Sequence, residues 1–184
     1  MNNLISLDNI DQTLGQYVTE VETVGPIDPT LDGVNLLSFL KREKIGSGPY
    51  PEVTLFEAAN RIMSDLVILH GVRWLLKNEV FPFSEYLVEF GHDNENGFDI
   101  RGNSENHSLI GEAFNVATSF YQGKKTSMLK KLRKEVAADF RLIMVNSDAI
   151  SANYRPKPRS NEYFVFVNIK DGTATIAPHK AECH

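Results

Sequence analysis

Cysteine is almost missing from these 184 residues; the single one, Cys183, stands next to the C-terminus. That excludes a disulfide framework and any cysteine-based zinc cluster. Long hydrophobic runs are missing too. The most apolar stretch, Leu66 to Leu69, is soon broken by His70 and Arg73, far short of the ~18 apolar residues a membrane span requires. Met1-Asn2-Asn3-Leu4 lacks the basic-then-apolar order of a secretory leader, so a soluble, cytoplasmic protein with no membrane partner is expected. There is no internal repeat and no low-complexity tract. The histidines form no ligand spacing: His70 lies in a helical stretch, and His179 and His184 crowd the C-terminus beside Cys183. What remains is a chain with 42% hydrophobic and 23% charged residues, long enough for one domain with a small appendage.

Positive charge is scarce overall, with 19 basic residues against 24 acidic ones and a net charge of −5. Its distribution is uneven. From Tyr121 to Arg159 ten basic residues face only Glu135, Asp139 and Asp148, leaving that stretch at +7 and the remainder at −12. Lys124, Lys125, Lys130, Lys131 and Lys134 fall in one segment, and Arg155, Lys157 and Arg159 in another. Such asymmetry marks a surface able to face a polyanion; a solvated helix face gives the same pattern.

The apolar spacing of Leu7, Ile10, Leu14 and Val18, and then of Leu36, Leu37 and Leu40, predicts two short helices over residues 1–45, separated by Gly25-Pro26 and Asp28-Pro29. Residues 1–50 read as a helical extension and linker packed on a main domain of residues 51–184. Thr54-Leu55-Phe56-Glu57 has the form of a capping box. It opens a long helix to about Lys77, with Leu55, Ala59, Ile62, Leu66 and Leu69 on its inner face. Three strand-like pieces follow: Glu85 to Phe90, Gly97 to Arg101, and Ser108 to Val116, with a turn at His92–Gly97 between the first two. Ser119-Phe120-Tyr121-Gln122 looks like a second capping box, Phe140 to Val145 a strand buried on both faces, and Tyr163–Ile169 with Thr173–Ala177 a closing hairpin. The expected fold is α/β (α+β): a mixed central sheet flanked by helices, in the core order αβββαβ.

Two carboxylates are out of keeping with their surroundings. Asp99 sits within an apolar-flanked strand, and Glu112 within Leu109-Ile110-Gly111-Glu112-Ala113-Phe114, where an unpaired charge costs several kcal/mol to bury, of order ~3–5. On neighbouring strands their side chains can converge. With the Ala113 carbonyl they would supply hard oxygen ligands suited to Mg²⁺, or to Mn²⁺. Alternatively Asp99 pairs with Arg101 or Arg141, and Glu112 with a lysine of the next helix. Glu57 is accounted for by its cap, and Glu89, in step with Glu85, reads as surface. Asn115 points to the opposite face of an ideal strand.

From Thr54 to Asn146 the chain resembles the PD-(D/E)XK nuclease superfamily, which includes many type II restriction endonucleases. The resemblance rests on the order helix, three strands carrying an Asp and then a Glu, helix, strand. It implies that Asp99 and Glu112 bind the metal and that Ala113 fills the variable position after the acid. Two departures stand out. The motif lysine falls on Phe114, and Phe98 rather than proline precedes Asp99. The lysine orients or deprotonates the attacking water and offsets transition-state charge, which Phe114 cannot do. Some members supply it from the next helix, where Lys124 is the candidate, ahead of Lys125. The resemblance thus implies a Mg²⁺-dependent DNA endonuclease, with Asp99, Glu112 and Lys124 catalytic, acting as a homodimer. Lys125, Lys130, Lys131, Lys134, Arg155, Lys157 and Arg159 would hold phosphates. The alternative is a non-catalytic relative that binds nucleic acid or protein.

Overall fold

Alternating and helical patterns resolve into seven strands and four helices in a computed structural model, which describes residues 3–91, 97–151, 153–157 and 159–178. In chain order these are β1 (Leu4–Ser6), α1 (Ile10–Glu22), α2 (Gly33–Arg42), α3 (Leu55–Lys77), β2 (Glu85–Val88), β3 (Ile100–Asn103), β4 (Ser108–Phe114), α4 (Thr118–Leu132), β5 (Phe140–Asn146), a 3₁₀ turn (Ser147–Ala149), β6 (Glu162–Asn168) and β7 (Thr173–Ala177). The strands form one sheet, side by side in chain order. β1 to β4 run antiparallel, β4, β5 and β6 are mutually parallel, and β7 folds back on β6. A parallel step needs a crossover, and α4 supplies it between β4 and β5. Residues 92–96, most of the expected turn, lie outside the described residues, as do Pro158, His179, Cys183 and His184.

Each face of the sheet carries its own core. On one, α3 packs with Val67, Leu69 and Val72 against Leu109, Leu142 and Val165. On the other, Leu129 and Leu132 of α4 meet Ile110, Phe114, Ile143 and Phe164. Period-two alternation therefore sends Leu109 and Ala113 of β4 toward α3, and Ile110 and Phe114 toward α4. β5 is buried from Leu142 to Asn146, as a strand with both faces covered should be.

Several local expectations need correction. Thr54 does cap α3, accepting from the Glu57 N–H at 3.3 Å, but the buried residues of α3 wind around it and Ala59 is exposed. A single apolar stripe describes a helix covered on one side; α3 has the sheet on one side and α1 and α2 on others. Helix α4 starts at Thr118, after Ala117, so Ser119 lies inside its first turn and forms no cap. Gln122 instead accepts from Lys125 Nζ at 2.7 Å. Strand β1 was not foreseen, since three residues are too few to show alternation. Its pairing with β2 carries the sheet into the extension drawn at residues 1–50.

The basic segment is anchored by one buried acid. Glu162 at the start of β6 takes both Arg133 Nε (2.6 Å) and Nη2 (2.9 Å), and the Arg159 N–H at 3.0 Å. Burial alone would raise its carboxyl; the guanidinium fork and the backbone donor override this and hold it below the usual range. A depressed carboxylate adds stability above its unfolded pKa and loses it as pH falls through the folded value. Arg133→Ala is therefore expected to cost about 2–3 kcal/mol at pH 7, a deficit that shrinks below about pH 4.5. Urea unfolding across pH checks this; a penalty that does not change with pH would contradict it.

Candidate functional site

A cleft of about 550 Å³ opens where β4 ends, between the N-terminal half of α3 and α4. Its walls hold five carboxylates, Glu57, Asp65, Glu89, Asp99 and Glu112, and three cations, Arg61, Lys124 and Lys131. Asp99 and Glu112 thus meet in one space. Asp99 lies one residue before β3 rather than inside it, and its Oδ2 accepts the Ala113 N–H at 2.7 Å. In a strand the N–H and C=O of one residue point to the same side, so the Ala113 carbonyl faces the Asp99 side as well.

Glu112 is the most perturbed of these acids. It is 3% exposed, on the α4 side of β4. Lys131 Nζ stands 2.6 Å from its Oε1, a close ionic contact rather than a directed hydrogen bond. Burial, and then the Asp99 charge, push its carboxyl up to about 7, while Lys131 and Lys124 pull the other way. Burial also raises Asp99, against the Ala113 N–H, Lys131 and Lys124, with Glu89 adding to the rise. Of the sequence alternatives, the lysine of the next helix is realised at Glu112, whereas Asp99 spends one oxygen on backbone. Arg141 is occupied elsewhere, donating to the Leu132 and Glu135 carbonyls at 3.2 and 2.6 Å.

Lys131 was expected to hold phosphate. It stands two turns after Lys124, with Met128 between, and all three line the cleft; that seven-residue spacing was the signal available. Glu89, read as surface, is 5% exposed and in the cleft; its N–H binds the Asp99 carbonyl at 2.9 Å, continuing the β2–β3 pairing by one residue and setting Glu89 beside Asp99. Asn115 also lines the cleft, since β4 ends at Phe114 and its N–H turns to Ser64 Oγ at 3.3 Å. Glu57 pairs with Arg61 at 2.5 Å. Phe114 is buried in the α4 core beside Tyr121.

Asp65, at 1% exposure, ties the cleft to the N-terminal extension. Its carboxylate accepts from Tyr17 of α1 at 2.6 Å, from Tyr50 of the linker, and from the Gly91 N–H at 3.0 Å. Gly91 has φ +72°, and a Cβ there would sit 2.9 Å from the Tyr50 ring, so conformation and space both demand glycine. Burial lifts the Asp65 carboxyl above its usual range against these three donors.

Lys130, Lys134 and Lys157 are exposed and have no side-chain partner among the described residues. Lys125 is not free in this way: its ammonium bonds Tyr154 Oη at 3.0 Å and lies over the Tyr121 and Tyr154 rings. It clasps the segment bearing Arg155 and Lys157 to α4. Arg155 and Arg159 are both exposed on that segment.

No group of three or more His, Cys, Asp or Glu placed to hold a metal ion occurs among the described residues. Two carboxylates and a carbonyl nevertheless suit Mg²⁺, which binds through one or two carboxylates, keeps several waters and shares substrate phosphates. Glu112 Oε1, which lacks a directed hydrogen bond but touches Lys131 Nζ at 2.6 Å, would have to exchange that ammonium for the ion or share it. No helix among the described residues is long and apolar enough to cross a membrane. No family model, curated protein or solved structure matches the chain.

Proposed function

We propose that this chain is a Mg²⁺-dependent DNA endonuclease resembling the PD-(D/E)XK superfamily, with α3, β2, β3, β4, α4 and β5 as its αβββαβ core. The carrying observation is the convergence of Asp99 and buried Glu112 with Lys131 at one end of β4. Asp99, Glu112 and the Ala113 carbonyl would hold the cation. When bound, Mg²⁺ supplies an activated water and shields the charge of the attacked phosphate. Lys131 and Lys124 do what Phe114 cannot: their ammonium groups balance the negative charge that builds on the phosphate. The exposed Lys130, Lys134, Arg155, Lys157 and Arg159 track the DNA backbone without reading bases. A homodimer, cutting one strand per subunit, is part of the proposal by resemblance.

A second reading, a non-catalytic nucleic-acid-binding or protein-interaction module on the same fold, is favoured by one observation, the burial of Phe114 at the lysine position. Against it stands the free-energy cost of burying the Glu112 carboxyl in the interior, which a binding module has no need to keep.

Supercoiled plasmid with Mg²⁺ or Mn²⁺ separates the two. Nicking is expected under the first reading; a low-salt gel shift with no nicking in either metal would overturn it in favour of the second. Lys131→Ala is expected to slow nicking about 30- to 100-fold, and Lys130→Ala about 3-fold or less, with a shallower salt dependence. Equal losses would make Lys131 one more backbone contact.

A further inference from the structure

Beyond Glu112 the end of β4 carries a second polar arrangement, made of Asn115, Asn146 and the 3₁₀ turn. Asn146, 3% exposed at the end of β5, has its Oδ1 facing the Asp148 N–H at 3.5 Å. A backbone N–H can only donate, so the acceptor of Asn146 is committed there and its amide nitrogen points the other way. That nitrogen donates to Asn115 Oδ1 at 3.1 Å. The orientation of Asn115 follows from this chain of partners. Its oxygen is turned to the protein, and its NH₂ donates to nothing among the described residues while the side chain lines the cleft. A carboxamide is thereby fixed with two N–H donors toward the cleft, on the α3 side of the strand end, while Glu112 stands on the α4 side.

We infer that Asn115 is a phosphate-binding residue of the cleft, its NH₂ donating to a non-bridging oxygen of the phosphodiester, and that Asn146 is the positioning residue that fixes which end of the carboxamide is presented. This rests on the nuclease reading and adds to it a neutral donor that takes over part of what the missing motif lysine would do. A neutral amide suits the place: among five carboxylates a further cation would be drawn into ion pairs, as Arg61 is by Glu57, whereas an amide held from behind stays available. The phosphate oxygen meets donors on one side and the cation-binding acids on the other. No proton moves through Asn115.

Asn115→Asp keeps the shape and removes both donors. Asn146→Asp removes the donor to Asn115 Oδ1, so the Asn115 amide turns round and shows its oxygen to the cleft. With bis(p-nitrophenyl) phosphate and Mn²⁺, Asn115→Asp is expected to lower kcat about 100-fold and Asn146→Asp about 10-fold, each assayed well below its own melting temperature because Asn146→Asp places a carboxylate in the interior and unfolds sooner. Separately, in metal-free buffer the Asn115 side-chain amide signals, assigned by their loss in Asn115→Asp, are expected to shift when a short DNA duplex is added. If the wild type cuts and Asn115→Asp cuts equally well, the inference is overturned and the nuclease reading stands. If the wild type does not cut but the amide signals shift, the phosphate contact stands and the nuclease reading falls. Signals that stay put in a protein that does not cut would end both.

Discussion

Asp99→Ala and Glu112→Ala should each lower Mg²⁺-dependent nicking by about 1,000-fold or more, because each removes one of the two carboxylates proposed to hold the cation that activates water. The two differ in stability. Asp99 accepts the Ala113 N–H at 2.7 Å, and its loss leaves that donor without a partner, at about 1–2 kcal/mol. Glu112 is the reverse. A carboxyl pushed up to about 7 in the fold binds its proton more tightly there than in the unfolded chain. The folded state is therefore favoured as pH falls from about 7 toward 4.5 and disfavoured above. Glu112→Gln in metal-free buffer should gain on the order of 2 kcal/mol at pH 8 and flatten the dependence of melting temperature on pH. A variant more stable and inactive is the signature of a group retained for chemistry. Full nicking by Glu112→Gln would remove Glu112 from the proposed cation site, and no gain in stability would mean that Lys131 compensates its charge fully.

Asp65→Ala is expected to cost about 3 kcal/mol, since it strands the Tyr17 and Tyr50 hydroxyls and the Gly91 N–H together. Asp65→Asn should cost about 1 kcal/mol or less. Its oxygen can take the Gly91 N–H, and its NH₂ can donate to the two tyrosine hydroxyls, which accept as well as donate. The alanine variant should also slow nicking. Gly91 lies two residues after Glu89, whose N–H is bonded to the Asp99 carbonyl, so releasing it loosens the approach to the proposed cation ligand Asp99. Chemical unfolding and plasmid nicking of both variants test this; equal stabilities would show that the three donors find other partners.

The elements were legible where periodicity was strong. Thr54 with Glu57, the both-face-buried run from Phe140, and the hairpin of β6 and β7 were all readable from residue spacing. The inner face of α3 was not, because the helices that cover its second side are set by tertiary packing. Of the site, Asp99 and Glu112 were visible as charges inside apolar segments. Lys131 was hidden among six basic residues of one segment, and choosing between them needs the rotation of α4 over the sheet. Asn115 does stand on the face opposite Glu112, as alternation has it; that the cleft reaches round the end of β4 to that face could not be read from spacing.

Strand β1 has a practical consequence. Leu4, Ile5 and Ser6 pair with Leu87, Tyr86 and Glu85, and the Asn3 carbonyl takes the Val88 N–H at 2.8 Å. Trimming the amino end past Ser6 would make β2 the outer margin of the sheet and bare a row of amides to neighbouring molecules, which is how soluble proteins begin to aggregate. Preparations meant to stay monodisperse should keep those residues and place any affinity handle ahead of them on a spacer.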